Sequence, residues 1–207
     1  MNKIFEILVF AFAGLILCGC RSAVVPEENP MTSAYKLVWE HWQPAEKGNC
    51  RRGYNIAAVL VDPQGRIQAK ELNTVISAQD CTQHAEMRLI QKYIARRRCF
   101  NLKGYSVYTT LEPCAMCTAV MSMAGISRVY YGQSDPFFGK AAERLRMNTK
   151  TAGGFVPYPR VSDCILIVSP LQRELEKAFQ KSPVKEITRW LATDQAKKIF
   201  EKYLHSK

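Results

Sequence analysis

The sequence predicts a layered α/β domain, and three observations carry that prediction. From about residue 33 onward, segments with helical spacing of apolar residues alternate with short runs rich in Val, Ile and Tyr. The chain has 207 residues, 47% of them hydrophobic, enough for one globular domain with appendages and too apolar for a disordered chain. Only one apolar run, Ile4 to Gly19, approaches spanning length, and a mean hydropathy of −0.17 with 23% charged residues excludes a polytopic membrane protein.

The first element is that run. Lys3 gives a positive start, Ile4 to Leu17 is almost wholly apolar, and Leu17-Cys18-Gly19-Cys20 follows. This reads as an export signal over residues 1–19. Its last four residues resemble the bacterial lipoprotein box, which selects Cys20 as the lipidated residue, and the polar, proline-containing residues 20–32 read as a tether. The alternative is an uncleaved single-pass anchor, for which a run of this length with Glu6 inside is short. Either reading puts the body outside the cytoplasm or at its boundary, as a membrane-anchored lipoprotein on the periplasmic or cell-surface side in the first case.

The body, residues 33–207, follows in order. Ser33 opens a helix through Trp42, with Leu37, Val38 and Trp39 toward a core and Lys36 and Glu40 toward solvent; Pro44 and Gly48 close it. Tyr54 to Val61 and Arg66 to Leu72 are strands joined by the turn residues Asp62-Pro63-Gln64-Gly65, hence a hairpin. Ala85 to Ile94 has helical spacing, Ser106 to Thr110 is a strand stopped by Pro113, and Ala115 to Ala124 is an apolar helix ended by Gly125. Arg128 to Tyr131 reads as a strand, Gly139 to Met147 as helix, Thr151 to Pro159 as loop, and Ile165 to Val168 as a last buried strand. Ser169-Pro170 starts a helix to Phe179. A C-terminal helical extension from about residue 182 runs from Val184 to Tyr203, with Ile187, Trp190, Leu191, Ile199 and Tyr203 on one core-facing stripe.

Loss of residues 1–19 removes one lysine and one glutamate, so the net charge of +11 belongs to the body. The clusters Arg51-Arg52, Arg96-Arg97-Arg98, Arg144 with Arg146, and Lys197-Lys198 fit either phosphate or lipid-headgroup contacts or solvated helix faces. Of the six cysteines in the body, Cys114 and Cys117 are spaced for metal. The even remainder, Cys50, Cys81, Cys99 and Cys164, allows up to two disulfides in an oxidising compartment or a set of buried free thiols.

Three elements carry the chemistry: His84-Ala85-Glu86 at a helix start, Pro113-Cys114, and Cys117 three residues on. One imidazole and two thiolates make three zinc ligands; the i, i+3 spacing puts both sulfurs on one side of a helix start, whose dipole favours thiolate. Three protein ligands leave the fourth position open, the arrangement of a catalytic zinc that lowers the pKa of water from about 15.7 to about 7. Glu86, two residues from His84, approaches that water without ligating and can carry its proton to a leaving amine. The pattern H-x-E…P-C-x-x-C is that of the zinc nucleobase deaminases.

Beyond these residues, Asn55 to Val61, Asn73, Asp80-Cys-Thr-Gln-His-Ala-Glu-Met87, Tyr108-Thr-Thr-Leu-Glu-Pro-Cys-Ala-Met-Cys117 and Gly125-Ile-Ser-Arg-Val-Tyr-Tyr-Gly132 resemble the cytidine/deoxycytidylate deaminase superfamily. The resemblance is strongest to its tRNA adenosine deaminase and guanine deaminase branch and spans roughly residues 33 to 180. It implies a three-layer α/β/α fold around a mixed five-stranded sheet, often as a homodimer, and hydrolytic replacement of a ring amine by a carbonyl with release of ammonia. By position it makes His84, Cys114 and Cys117 the Zn2+ ligands, Glu86 the proton shuttle, and Asn73 and the Ala85 amide substrate contacts. Asn73 also reads as a turn residue ending the second strand. Cys81 where a proline is usual, and Ala57 where a glycine is usual, are departures expected to alter the pocket wall. The implied substrate is a purine-type base, in tRNA or as a free base or nucleoside. The alternative is a membrane-tethered protein that binds zinc and nucleotide or nucleic acid without catalysis, in which Glu86 has no chemical purpose.

Overall fold

The computed structural model describes residues 29–44, 52–146 and 161–204. The expected signal segment 1–19, Cys20, the tether as far as residue 28, Cys50, and the loop 151–159 lie outside the described residues. Helix α1 (Pro30–Glu40) begins three residues before the Ser33 start read from the sequence. Asn29 is the cap: its side-chain oxygen accepts from the amides of Met31 (3.0 Å) and Thr32 (3.3 Å), and Pro30 has the first helical position, where its missing N–H costs nothing. Met31 is buried and Ser33 lies inside the helix, so residues 30–32, expected as part of a tether, are helix instead.

Strands β1 (Ala57–Val61) and β2 (Ile67–Leu72) form the expected hairpin. Asp62 sets its turn by accepting from the amides of Gln64 and Arg66, both at 2.9 Å. Helix α2 (Ala85–Arg97), β3 (Ser106–Leu111), α3 (Ala115–Met123), β4 (Arg128–Gln133), α4 (Ala141–Arg146) and β5 (Asp163–Leu166) follow, then α5 (Pro170–Gln180), α6 (Ile187–Trp190) and α7 (Asp194–Leu204). The sheet order is β2-β1-β3-β4-β5, with β1 antiparallel to both neighbours and β3, β4 and β5 parallel. Parallel neighbours need a crossover, and α3 supplies the one between β3 and β4.

Helices cover both faces. Helix α2 packs on β1, β2 and β3 and against α3, while α1 packs on β1 to β4 and against α7, which packs against α5. Every residue of β1 is therefore buried, and its uninterrupted apolar run is what two covered faces require. This is the mixed five-stranded α/β/α fold expected, with extra C-terminal helices.

Two elements differ from expectation. The single helix read from Val184 to Tyr203 is two, because the chain turns at Leu191–Thr193, where the Thr193 hydroxyl donates to the Trp190 carbonyl at 2.7 Å before α7 starts. The apolar stripe survives the break: Ile187, Trp190, Leu191 and Ile199 are all core, and only Tyr203 is half-buried, its hydroxyl donating to Glu174 at 2.6 Å. The last strand is Asp163–Leu166 rather than Ile165–Val168, and it is not buried: Ile165 is 40% and Leu166 38% exposed. Among the described strands it lies at the edge of the sheet, next to β4. No disulfide joins any two of Cys81, Cys99 and Cys164, and Cys81 is exposed rather than buried.

The α1 layer seats closely on β4 at Gly132. A Cβ there would overlap the buried Tyr35 hydroxyl and approach the Thr110 carbonyl oxygen at 3.0 Å. Gly132→Ala is expected to lower the unfolding free energy by about 1–3 kcal/mol through overpacking, read from the urea midpoint. An unchanged midpoint would mean that α1 is not held against the sheet in this way.

Candidate active site

The strand directions place one end of the sheet at the site. Because β1 is antiparallel to β3, its first residues lie beside the C-terminal end of β3, with Ala58 opposite Thr109, and Ala57 in turn faces Leu72 at the end of β2. The segments around Tyr54, Asn73, Leu111 and Asp135 therefore gather at the C-terminal ends of the parallel strands β3 and β4, where open α/β sheets bind ligands.

Two helix starts bring the ligands to that end. His84 is the N-cap of α2, its backbone extended at φ −66° and ψ 154°. The loop before it is fixed by Asp80, which accepts from the Thr82 amide (2.8 Å), the Thr82 hydroxyl (2.7 Å) and the Gln83 side chain (2.9 Å). These bonds, led by that from the Thr82 amide, hold the Asp80 carboxyl below the usual range. Cys114 caps α3 and Cys117 lies in its first turn, just after Pro113 ends the strand segment.

The His84 Nδ1 atom is 3.8 Å from the Cys114 sulfur and 3.6 Å from the Cys117 sulfur, and the three ligand atoms all lie within 4.8 Å of one another. A tetrahedral zinc with usual bond lengths requires a nitrogen–sulfur separation of about 3.6 Å. The donor set thus fits zinc in element, number and spacing. Its protons point the same way. A hydrogen bond from Cys117 brings the Cys114 thiol down to about 4, the same bond pushes Cys117 well above its ordinary value, and the contact with Cys114 raises His84. Three groups compete for the same protons, and one divalent cation satisfies all three.

Glu86 lies in the first turn of α2, only 4% exposed, and outside the ligand group. Its Oε1 accepts from the Thr109 hydroxyl at 2.9 Å, and its Oε2 is 3.6 Å from the Cys117 sulfur. Burial pushes its carboxyl above the ordinary glutamate value. Ligands and carboxylate are therefore brought together as the H-x-E and C-x-x-C spacings predict.

These groups open onto a cavity of about 330 Å³, at the small end of the range for small-molecule sites. Asn73 lines it, and its Oδ1 accepts from the amides of Tyr54 (3.2 Å) and Val75 (3.3 Å), as a turn residue's side chain does. Ala85 is fully buried and does not line the cavity; what it can present is the amide at the first helical position, which no carbonyl within the helix can satisfy. Neither departure from the family pattern forms the wall: Ala57 is buried with its amide on the Thr110 hydroxyl at 3.1 Å, and Cys81 is exposed.

The sequence reading missed several walls. Glu112 accepts from the amides of Asp135 (3.0 Å) and Lys140 (2.7 Å), and so pins the loop that carries Phe138 over the cavity. Glu186 and Thr188 close it from the C-terminal extension. Glu112 was signalled by its place beside Pro113 at a strand end; no local signal marks Glu186 or Thr188.

A family model for the cytidine and deoxycytidylate deaminase zinc-binding region matches residues 28–133. The tRNA-specific adenosine deaminase of Agrobacterium fabrum is 41% identical over 91 residues, 44% of this chain and 59% of that protein. That of Rickettsia bellii is 35% identical over 92 residues, covering 44% of this chain and 63% of its own length. The chain thus spans about three fifths of these two relatives. The tRNA-specific adenosine deaminase of Bacillus subtilis is 28% identical over 155 residues, 71% of this chain and 93% of that protein.

The purified chain is expected to carry one equivalent of zinc. At free metal about 1,000-fold above the dissociation constant, binding should add about 4 kcal/mol of stability. Chelation should therefore lower the melting temperature, and Cys117→Ala should abolish both metal content and that shift. A melting temperature indifferent to chelator would refute a metal site.

Proposed function

The chain belongs to the cytidine and deoxycytidylate deaminase zinc-binding family, and from that premise we propose that it is a zinc-dependent hydrolytic deaminase of a purine-type base. One observation carries the reading: a carboxylate buried to 4% exposure stands beside a three-ligand cluster at the floor of a small cavity. A binding protein has no use for it, since burying a carboxylate is costly and a stabilising role is better served by an apolar side chain. Non-catalytic zinc and nucleotide binding is accordingly the weaker reading.

Zinc held by His84, Cys114 and Cys117 would supply Lewis acidity that acidifies a water. The chain's own residues do the rest. His84, Cys114 and Cys117 fix the position, and Thr109 fixes Glu86 through Oε1, leaving Oε2 toward the cluster. Glu86 takes a proton from the attacking water at Oε2 and returns it to the departing ring amine, so that water enters and ammonia leaves in balance. The upward push on its carboxyl suits a group that must hold a proton between the two steps. Asn73 and the Ala85 amide are proposed to orient the base.

Ammonia release by the zinc-loaded chain across adenine, guanine, their nucleosides and a tRNA anticodon stem-loop tests this reading. Glu86→Ala is expected to keep its zinc and lose at least about 10²–10⁴-fold in kcat. Undiminished turnover in that variant would remove Glu86 as the shuttle.

We further propose that the chain is exported and tethered to a membrane through lipid on Cys20. The support is the positive start at Lys3, the apolar run Ile4 to Leu17 and the lipoprotein-like Leu17 to Cys20. Among the described residues no helix is long and apolar enough to cross a membrane, so in this reading attachment rests on the N-terminal segment. Cys20→Ser should leave the domain folded and move it to the soluble fraction; persistent membrane association would favour an uncleaved anchor.

A further inference from the structure

The cavity contradicts the charge of the chain that surrounds it. The net charge is +11, yet among the described residues no lysine or arginine lines the cavity. Carboxylates do: beyond Glu86, the walls include Glu112, Asp135 and Glu186. Each of these three is held in place. Glu112 accepts two backbone amides, and Asp135 Oδ1 accepts those of Phe137 (2.9 Å) and Phe138 (3.0 Å). Glu186 accepts from the Thr188 hydroxyl at 2.8 Å and from Arg189 at 2.8 Å, so the nearby guanidinium is itself engaged. Apart from the polar Asn73 and Thr188 and the ligands His84 and Cys114, the remaining described walls are apolar or aromatic: Tyr54, Ile56, Leu111 and Phe138.

The basic side chains gather elsewhere. Arg173, Lys177, Lys181 and Lys198 line a groove between α5 and α7 that shares no residue with the cavity.

We infer that the cavity selects an unphosphorylated, N–H-rich planar heterocycle, a free aminopurine base or its nucleoside, and discriminates against the matching nucleotide. The inference rests on the deaminase reading and narrows its substrate. Oriented carboxylates accept from exocyclic amines and ring N–H groups, and aromatic and aliphatic walls take the faces of a flat ring. Against Glu112, Asp135 and Glu186 a phosphate meets like charge, in a recess whose low-dielectric walls strengthen the repulsion. Glu186 is the selectivity residue from the C-terminal extension. Its side chain stands 42% exposed in the cavity wall, within reach of a group that extends from a bound base toward solvent.

The test is calorimetric binding to the zinc-loaded full chain carrying Glu86→Gln, which removes turnover from the readout. The ligands are adenine, guanine, their ribonucleosides, their 5′-monophosphates and an anticodon stem-loop. At least one base or nucleoside should bind tenfold or more tightly than its monophosphate and more tightly than the stem-loop. Glu186→Gln should narrow that ratio at least threefold by improving the monophosphate. Equal or tighter binding of the monophosphate or the stem-loop overturns the inference, and so does binding of none of them. A ratio unmoved by Glu186→Gln overturns the assignment of selectivity to that residue. The two readings fail separately: selectivity as expected, with no ammonia released by the Glu86-containing chain, would overturn the deaminase reading and leave the discrimination standing.

Discussion

Everything functional in this molecule depends on one convergence, that of a ring nitrogen and two sulfurs within 4.8 Å at one end of a mixed sheet. Those atoms come from residues 84, 114 and 117, on two helices that meet only because β1 runs antiparallel between β2 and β3. That reversal brings the start of β1, the end of β2 and the end of β3 to the same edge. The helix leaving β2 then begins where the helix leaving β3 begins, and both N-termini face one point. The favourable dipole of α3 and the proton sharing among the three groups make that point a place for a soft divalent cation.

A second constraint follows from burial. Glu86 is enclosed, so it is useful as a proton carrier only if one oxygen is fixed and the other is directed at the chemistry. Thr109 provides the first condition from the neighbouring strand. The same alternation that turns Thr109 toward Glu86 turns Thr110 to the β1 amide of Ala57, so two adjacent threonines serve site and sheet from opposite faces of one strand. Outside the ligand shell, the charged side chains among the described residues that shape the recess are negative. Among the described residues, Arg173, Lys177, Lys181 and Lys198 gather instead in the groove between α5 and α7.

Much of this was legible in the sequence because it is local. The H-x-E and C-x-x-C spacings act over one helical turn, and the strands announce themselves by branched apolar runs. The hairpin is written in Asp62-Pro63-Gln64-Gly65. What was not legible depends on partners distant in the chain. Val184 to Tyr203 has a continuous apolar stripe, and periodicity alone does not show that the chain turns at Thr193. Ile165 and Leu166 have core composition but stand on an edge strand, a matter of sheet order rather than of residue type. Glu186 reaches the cavity only through the path of the C-terminal helices across the fold. Asn29 was a readable cap, overlooked because the charged and proline-containing residues around it resemble a tether.

The central claim is that zinc is held by one nitrogen and two sulfurs, with one position left to solvent or substrate. X-ray absorption at the zinc edge of the loaded chain tests it most directly. The expected four-coordinate shell has two sulfur neighbours at about 2.3 Å and lighter nitrogen or oxygen neighbours at about 2.0–2.1 Å. A shell of four sulfurs, or one of oxygens alone, would contradict it.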